Sequence, residues 1–89
     1  MHCYTIGDIV ISLAGRDAKK LFAVVGIMDE NYVYISDGKS RKIASPKKKK
    51  IKHIKPVKKS EGDFAPVDAV LRKMLADAKL YVADSITNR

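Results

Sequence analysis

Few residues in this sequence could cross-link a small fold through a disulfide or bind a metal. The chain has 89 residues but a single cysteine, Cys3, which excludes an internal disulfide, and small secreted domains usually need such bridges. His2 and His53 are the only histidines, and no CxxC or HxxxH spacing occurs. We therefore expect no metal site, no cofactor and a reducing, cytoplasmic environment.

Long apolar runs and catalytic groupings are missing as well. No stretch approaches the roughly 20 apolar residues that cross a bilayer. The first residues lack the basic start and the apolar stretch of a signal peptide, so we expect a soluble protein that is not exported and contacts no membrane. No phosphate-binding glycine loop occurs, and no nucleophile, base and orienting group stand at a suggestive spacing. These absences argue against an enzyme.

From Lys39 to Lys59 the chain has no acidic residue. This segment contains eleven of the 18 Lys and Arg residues, and the rest of the chain carries a slight excess of acidic residues. The net charge of +8 therefore comes entirely from one short segment. A basic patch beside a nearly neutral body is typical of nucleic-acid-binding proteins. Because a lysine ammonium is a point charge, most of these side chains would hold an RNA backbone without recognising its sequence.

Other interpretations of the lysine-rich segment stay open. It could be a solvated charge run, such as a disordered arm. Residues 46–50 also fit the loose pattern of a nuclear localisation signal. In addition, lysines on an edge strand prevent sheets from aggregating through their edges, so part of the run could protect a strand.

Short β-branched and aromatic runs predict one mainly β domain, and 46% hydrophobic residues are enough to fold it. Gly26 lies inside the second run, where it indicates a bulge or a close backbone approach. Asp37-Gly38 gives a strong hairpin signal. Because barrel closure removes exposed edges, five short strands in so small a domain favour a barrel. The strands are predicted at residues 9–11, 21–28, 32–35, 39–43 and 47–54.

Apolar residues at helical spacing follow the strands. They predict an amphipathic helix over residues 66–79, with Pro66 at its first position. Its apolar stripe either packs on the β body or binds a partner protein. Residues 56–62 have the composition of a linker, and the final residues could extend the helix or pair elsewhere. We predict a barrel over residues 1–59, a linker over 60–65, the helix over 66–79 and a tail over 80–89.

Residues 7–19 (GDIVISLAGRDAK) resemble the KOW motif of translation and transcription proteins, and residues 20–31 continue the resemblance. Up to Asp37-Gly38 the chain is similar to archaeal and eukaryotic large-subunit ribosomal proteins of the fourteen-e type and to stand-alone bacterial KOW-domain RNA-binding proteins. The resemblance covers roughly residues 6–55. It depends on Gly7, Val10, Gly15, Lys19, the apolar run 21–28, Asp37-Gly38 and Arg41-Lys42.

This resemblance implies an SH3-like barrel that binds ribosomal RNA or a ribosome-associated partner and catalyses no reaction. It also implies that Arg16, Lys19 and Lys20 lie in a loop that related barrels present to RNA. Arg16 could instead be a turn residue paired with Asp17. With the basic segment added, the predicted RNA-binding residues are Arg16, Lys19, Lys20, Lys39, Arg41, Lys42, Lys47, Lys48, Lys49, Lys50, Lys52 and Lys55.

Tyr32 and Tyr34 lie two residues apart and so share one face of the predicted third strand. They could stack on unpaired bases, or they could fill part of a small core.

We predict a non-catalytic protein that binds structured RNA, namely ribosomal RNA or the large ribosomal subunit. One alternative is a protein-interaction module of the transcription or translation machinery. Another is a hydrolase or transferase acting on RNA, which would need the fold to bring together carboxylates such as those of the turn residues Asp8, Asp29 and Asp37.

Overall fold

The computed structural model describes residues 4–60, 62, 65 and 67–87. Cys3, His2 and Pro66, all named above, lie outside the described residues. The described part forms β1 (Ile9–Ser12), β2 (Leu21–Ile27), β3 (Tyr32–Ser36), β4 (Lys47–Lys50), β5 (Ile54–Lys58) and α1 (Asp68–Thr87). Single 3₁₀ turns follow β1 at Gly15–Asp17 and join β4 to β5 at Ile51–His53.

The five strands form one antiparallel sheet in the order β4-β3-β2-β1-β5. A single 3₁₀ turn joins the two edge strands, so the sheet curls into a small SH3-like barrel. This confirms the predicted mainly β fold with a C-terminal helix. Because β1 and β3 both run antiparallel to β2, the connections that follow them, residues 13–20 and 37–46, leave the same end of the barrel.

Alternating side chains divide the apolar residues between two clusters. The inner cluster fills the barrel and consists of Tyr4, Val10, Phe22, Val24, Val33, Ile35 and Ile54. The outer cluster lies between the sheet and α1 and consists of Ile9, Leu21, Val57, Met74, Leu75 and Ala78. Burying one large aliphatic or aromatic side chain stabilises a fold by about 1.5–3 kcal/mol. Met74, Leu75 and Ala78 of the helix therefore pack on the β body.

The predicted strand at residues 39–43 is wrong. Asp37-Gly38 does turn the chain, but the backbone N–H groups of both residues donate to the carbonyl oxygen of Arg41, at 3.0 and 3.1 Å. These hydrogen bonds close a tight turn, and residues 39–43 form no β ladder with β3. The partner of β3 is instead β4, which is an edge strand as the lysine run predicts. The single strand predicted over residues 47–54 is wrong in its extent, because a 3₁₀ turn at Ile51–His53 ends β4 and β5 begins at Ile54.

The helix fixes this turn from outside. Gly38 has a φ of +75°, and a Cβ atom there would lie 2.6 Å from the carbonyl oxygen of Asp68. The guanidinium of Arg72 donates to the carbonyl oxygen of Gly38 at 2.8 Å. The backbone N–H of Ile43 donates to the carboxylate of Asp68 at 2.9 Å. Only glycine suits position 38, because the first turn of α1 packs directly against it.

Two further boundaries differ from the sequence predictions. Pro56, expected in a linker, lies in β5 opposite Val10. Proline cannot donate to a β ladder, but an edge strand tolerates it. The helix begins at Asp68 and continues to Thr87, so most of the predicted tail extends the helix. None of the helices formed by the described residues has both the length and the apolar character needed to cross a bilayer.

Candidate nucleic-acid interface

Four consecutive lysines form β4, and successive side chains of a strand point to opposite faces. Their partners on β3 alternate between tyrosines and buried aliphatic residues, in the pairs Tyr32–Lys50, Val33–Lys49, Tyr34–Lys48 and Ile35–Lys47. Since Val33 and Ile35 belong to the inner cluster, Lys47 and Lys49 lie on the inner face of β4. Lys48 and Lys50 lie on the outer face with the tyrosines.

Lys47 and Lys49 hold the first 3₁₀ turn against the barrel. The ammonium of Lys47 forms an ion pair with Asp17. Lys49 is only 9% exposed, and its ammonium donates to the carbonyl oxygen of Ala14 at 3.2 Å. Both contacts join β4 to the connection after β1, so these two lysines stabilise the barrel at this end.

The hydrogen bond from Lys47 lowers the pKa of Asp17. Partial burial opposes the shift, and the positive charges of Lys47, Lys49 and Lys20 add to it. Arg16, which could have paired with Asp17, is exposed on the same 3₁₀ turn. Asp17 therefore binds a lysine that is distant in sequence, and the structure leaves Arg16 accessible.

Lys48 and Lys50 are exposed, and neither forms an ion pair with another described residue. The ammonium nitrogen of Lys48 lies 4.7 Å from the ring centroid of Tyr32. A cation at this distance is attracted to the ring, by about 0.5–1 kcal/mol at an exposed site. Lys52, in the 3₁₀ turn after β4, is also exposed. We call Tyr32, Lys48, Lys50 and Lys52 the outer lysine face.

The two tyrosines of β3 lie outside the barrel interior, and both are half-buried. Tyr34 packs over Gly26 of β2, where a Cβ atom would lie 3.2 Å from the Cδ2 atom of the ring. The register shifts between Val24 and Gly26, which confirms the predicted bulge. Tyr34 therefore covers the neighbouring strand, whereas Tyr32 lies nearer the end of the sheet.

Tyr32 also borders a groove that the sequence did not predict. The groove has a volume of about 370 Å³, and we call it the Tyr32 groove; it is lined by Glu30, Asn31, Tyr32, Lys50, Ile51 and Lys52. Residues 30–32 and 50–52 are distant in sequence, and only the pairing of β3 with β4 brings them together. The sequence predicts a turn at Asp29-Glu30-Asn31, but it did not indicate that residues 50–52 lie opposite that turn.

The remaining predicted basic residues lie in two other regions. Residues 13–20 and 37–46 leave the same end of the barrel, and each carries exposed cations. Lys55 lies apart from them on β5, the other edge strand, and is exposed. The exposed basic residues of the two connections are Arg16, Lys19, Lys20, Lys39, Arg41 and Lys42.

Asp8 is buried, with 2% of its surface exposed. Its carboxylate accepts hydrogen bonds from the backbone N–H and the hydroxyl of Thr5, both at 2.9 Å, and from the backbone N–H of Ser60 at 2.7 Å. Burial raises the pKa of Asp8, but these hydrogen bonds and one from Lys59 outweigh burial and lower it. Asp8 thus joins the start of the chain to the segment after β5.

Asp29 and Asp37 serve turns as well. The carboxylate of Asp29 accepts from the backbone N–H of Asn31 at 2.8 Å and from that of Tyr32 at 3.0 Å. The carboxylate of Asp37 accepts from the backbone N–H of Lys39 at 2.8 Å. Among the residues that the structure describes, no group of three His, Cys, Asp or Glu side chains could hold a metal ion.

Comparison with known proteins supports the resemblance noted in the sequence. No protein-family model matches the chain. The large ribosomal subunit protein eL14 of Pyrobaculum calidifontis is 39% identical over 76 residues, which cover 84% of this chain and 74% of that protein. This chain belongs to the eL14 family. The eL14 protein of Pyrobaculum neutrophilum is 33% identical over 78 residues, which cover 81% of this chain and 76% of that protein.

A third eL14 relative matches a shorter part of the chain. The protein from Staphylothermus marinus is 37% identical over 59 residues, which are 66% of this chain. The chain spans 62% of the length of that relative. Family membership confirms the predicted resemblance to ribosomal proteins of the fourteen-e type.

Proposed function

We propose that this chain binds ribosomal RNA of the large ribosomal subunit and acts by binding alone. The relatives of the eL14 family are named large ribosomal subunit proteins. Such a role needs a cationic surface that RNA can reach, and the outer lysine face is one. We propose that the protein works with ribosomes in the cytoplasm.

The exposed lysines of β4 are the observation that carries this proposal. Lys48 and Lys50 point outward and have no acidic partner among the described residues. Each phosphate that such a lysine neutralises releases counterions, so binding strengthens as salt is lowered. Tyr32 beside them offers an aromatic surface, and stacking on unpaired bases is a common mode of RNA recognition.

The two basic connections at one end of the barrel extend the proposed contact. Arg16 and Arg41 are the most informative residues there, because a planar guanidinium can grip a phosphate with two hydrogen bonds. The neighbouring lysines would add charge and fix the orientation of the protein on the RNA backbone. The connections contribute Arg16, Lys19, Lys20, Lys39, Arg41 and Lys42. Exposed Lys55 on β5 would add a weaker contact.

A protein partner at the helix is a second proposal. Met74, Leu75 and Ala78 of α1 pack on the sheet, but Val67, just before α1, and Val70 within it are 51% and 37% exposed. These two side chains could bind an apolar surface of another protein. Nuclease treatment separates the two proposals, because partners held through RNA would be lost and direct protein partners retained.

Sedimentation with ribosomal subunits tests the RNA proposal. A tagged chain is added to a cell extract, and its position in a sucrose gradient is compared at low and at high salt. We expect migration with the large subunit, weakened by high salt. With purified large-subunit ribosomal RNA, the logarithm of the binding constant should fall linearly with the logarithm of the salt concentration. A chain that stays at the top of the gradient at every salt concentration would refute the proposal.

A further inference from the structure

We infer that the Tyr32 groove binds one unpaired nucleotide of the RNA, with the base against Tyr32 and the phosphate between Lys50 and Lys52. This inference rests on the proposed RNA-binding function and names the element of RNA that the outer lysine face recognises. It depends on the shape, the rigidity and the charges of the groove.

The ring of Tyr32 contacts a cation and also lines the groove. Lys48 lies over the ring, with its ammonium 4.7 Å from the ring centroid, yet Lys48 does not line the groove. Lys48 pairs with Tyr34 across the two strands, whereas the groove is lined by Lys50, Ile51 and Lys52. The cation limits the orientations of the ring, and a ring that is already ordered loses little entropy when a base stacks on it.

Hydrogen bonds hold the walls of the groove in place. The carboxylate of Asp29 accepts from the backbone N–H groups of Asn31 and Tyr32. The backbone N–H of Ile51 donates to the carbonyl oxygen of Asn31 at 2.8 Å, which ties the turn before β3 to the turn after β4. The fold itself therefore fixes the backbone that lines the groove. Its volume of about 370 Å³ falls within the roughly 300–1,000 Å³ of small-molecule sites.

Charges orient the nucleotide within the groove. Lys50 and Lys52 are exposed cations on one wall, and Glu30 is the carboxylate on another. A phosphate is attracted to the lysines and repelled by Glu30, so the sugar-phosphate lies at the lysine wall. The base then faces Tyr32 and the side chain of Ile51, which give it aromatic and aliphatic contacts.

The groove favours an unpaired nucleotide because a base inside a helix has both faces stacked on its neighbours. Bases in bulges and loops can leave the stack and bind an aromatic side chain. Tyr34 does not offer the same site, since it packs over Gly26 and does not line the groove. The two tyrosines of β3 therefore differ in role, and they form a matched pair for a test.

Two RNA hairpins with the same stem provide that test. One hairpin is fully paired, and the other carries a single bulged 2-aminopurine nucleotide, whose fluorescence falls when the base stacks. We expect the chain to bind the bulged hairpin about tenfold more tightly and to quench its fluorescence, because stacking of one base contributes about that factor or more. Tyr32→Leu should bind both hairpins equally and quench neither, whereas Tyr34→Leu should keep the preference.

A second variant avoids any change in the sheet. Lys52 lies in an exposed turn. Lys52→Gln should weaken binding to both hairpins, and the loss of affinity should be about threefold larger for the bulged hairpin than for the paired one. Amide spectra of each variant establish that it is folded. Equal affinity of the unmodified chain for both hairpins would overturn the groove inference and leave the RNA-binding proposal standing. Binding to neither hairpin at low salt would overturn both.

Discussion

Two pairs of lysines within one strand have different surroundings in this molecule. Lys47 and Lys49 face inward and contact Asp17 and the carbonyl oxygen of Ala14, whereas Lys48 and Lys50 face outward. All four are the same residue type, and neighbours in the run are one residue apart. Their different surroundings follow from the two-residue period of a β-strand and from the register with β3.

The difference shows that a count of charges does not define a binding surface. The ammonium groups of Lys47 and Lys49 contact Asp17 and Ala14, so only Lys48 and Lys50 of the run are exposed and lack an acidic partner among the described residues. The inner pair also contacts the connection that contains the first 3₁₀ turn and exposed Arg16. Stability and RNA affinity should therefore respond to different halves of the same four-residue run.

Reversing the charge of the outer pair should have the largest effect. Lys48→Glu/Lys50→Glu replaces two attractions to phosphate with two repulsions, and we expect the affinity for large-subunit ribosomal RNA to fall about 100-fold or more at low salt. The melting temperature should change little, since both side chains are exposed. Fluorescence anisotropy and thermal unfolding measure the two quantities.

The matched control for this variant is Lys73→Glu/Lys79→Glu. It makes the same change in net charge at exposed positions of α1. We expect it to reduce the affinity by less than about fivefold, because screening weakens charges that do not touch the RNA. An equal loss in both variants would mean that total charge, and not the outer lysine face, determines binding.

Weakening the fold without changing any charge should leave RNA affinity intact. Leu75 is 8% exposed between the helix and the sheet. Leu75→Ala should lower the free energy of unfolding by about 2–4 kcal/mol, through lost contacts and the cavity that remains. Measured at a temperature where the variant is folded, its affinity for RNA should match that of the original chain. A large loss of affinity there would show that stability and binding are not separable.

Neutralising the inner pair should reduce stability by a smaller amount. Methionine keeps most of the length of lysine, so Lys47→Met/Lys49→Met removes two charges and two contacts with little change in packing. We expect the free energy of unfolding to fall by about 1–2 kcal/mol, the contribution of one hydrogen bond and one partly exposed ion pair. Urea denaturation measures the change. Unaltered stability would show that the inner contacts contribute nothing to the fold.

Acid should remove the part of the stability that comes from the ion pair between Lys47 and Asp17. The pKa of Asp17 is lowered in the folded protein, so its ionised form stabilises the fold above its unfolded pKa of about 4. That stabilisation is lost as the pH falls through the folded pKa. We expect Lys47→Met to be less stable than the original chain by under about 1 kcal/mol at pH 7. The gap should narrow at about pH 3; a constant gap would exclude the Asp17 ion pair as its source.

The fold was largely predictable, because β-branched runs and turn residues mark β1, β2 and β3. The bulge at Gly26 was predictable from the glycine inside the second run. The edge strand β4 was predictable in kind, because lysines are typical of an exposed sheet edge. The false strand at residues 39–43 followed from a genuine turn signal at Asp37-Gly38. A local signal could not show that the turn is closed by hydrogen bonds to the carbonyl oxygen of Arg41, or that the first turn of α1 packs against it.

The candidate site was predictable in outline only. The concentration of charge identified the segment, but four identical lysines have no alternation from which to infer their faces. That information lies in β3, whose sequence alternates Tyr32 and Tyr34 with Val33 and Ile35. The ion pair of Lys47 with Asp17 joins residues that are 30 positions apart, so no local sequence pattern predicts it. Reversing all four lysines together would therefore mix a loss of stability with a loss of binding.

A parallel comparison of the two methionine pairs tests the central claim most directly. Lys47→Met/Lys49→Met and Lys48→Met/Lys50→Met make the same change in charge, in the same strand, one residue apart. Each variant is titrated with large-subunit ribosomal RNA and unfolded with urea. We predict that the outer pair loses about tenfold or more in RNA affinity and keeps its stability, while the inner pair loses stability and keeps its affinity to within about threefold. Equal losses of affinity in the two variants would contradict the division of the lysine run.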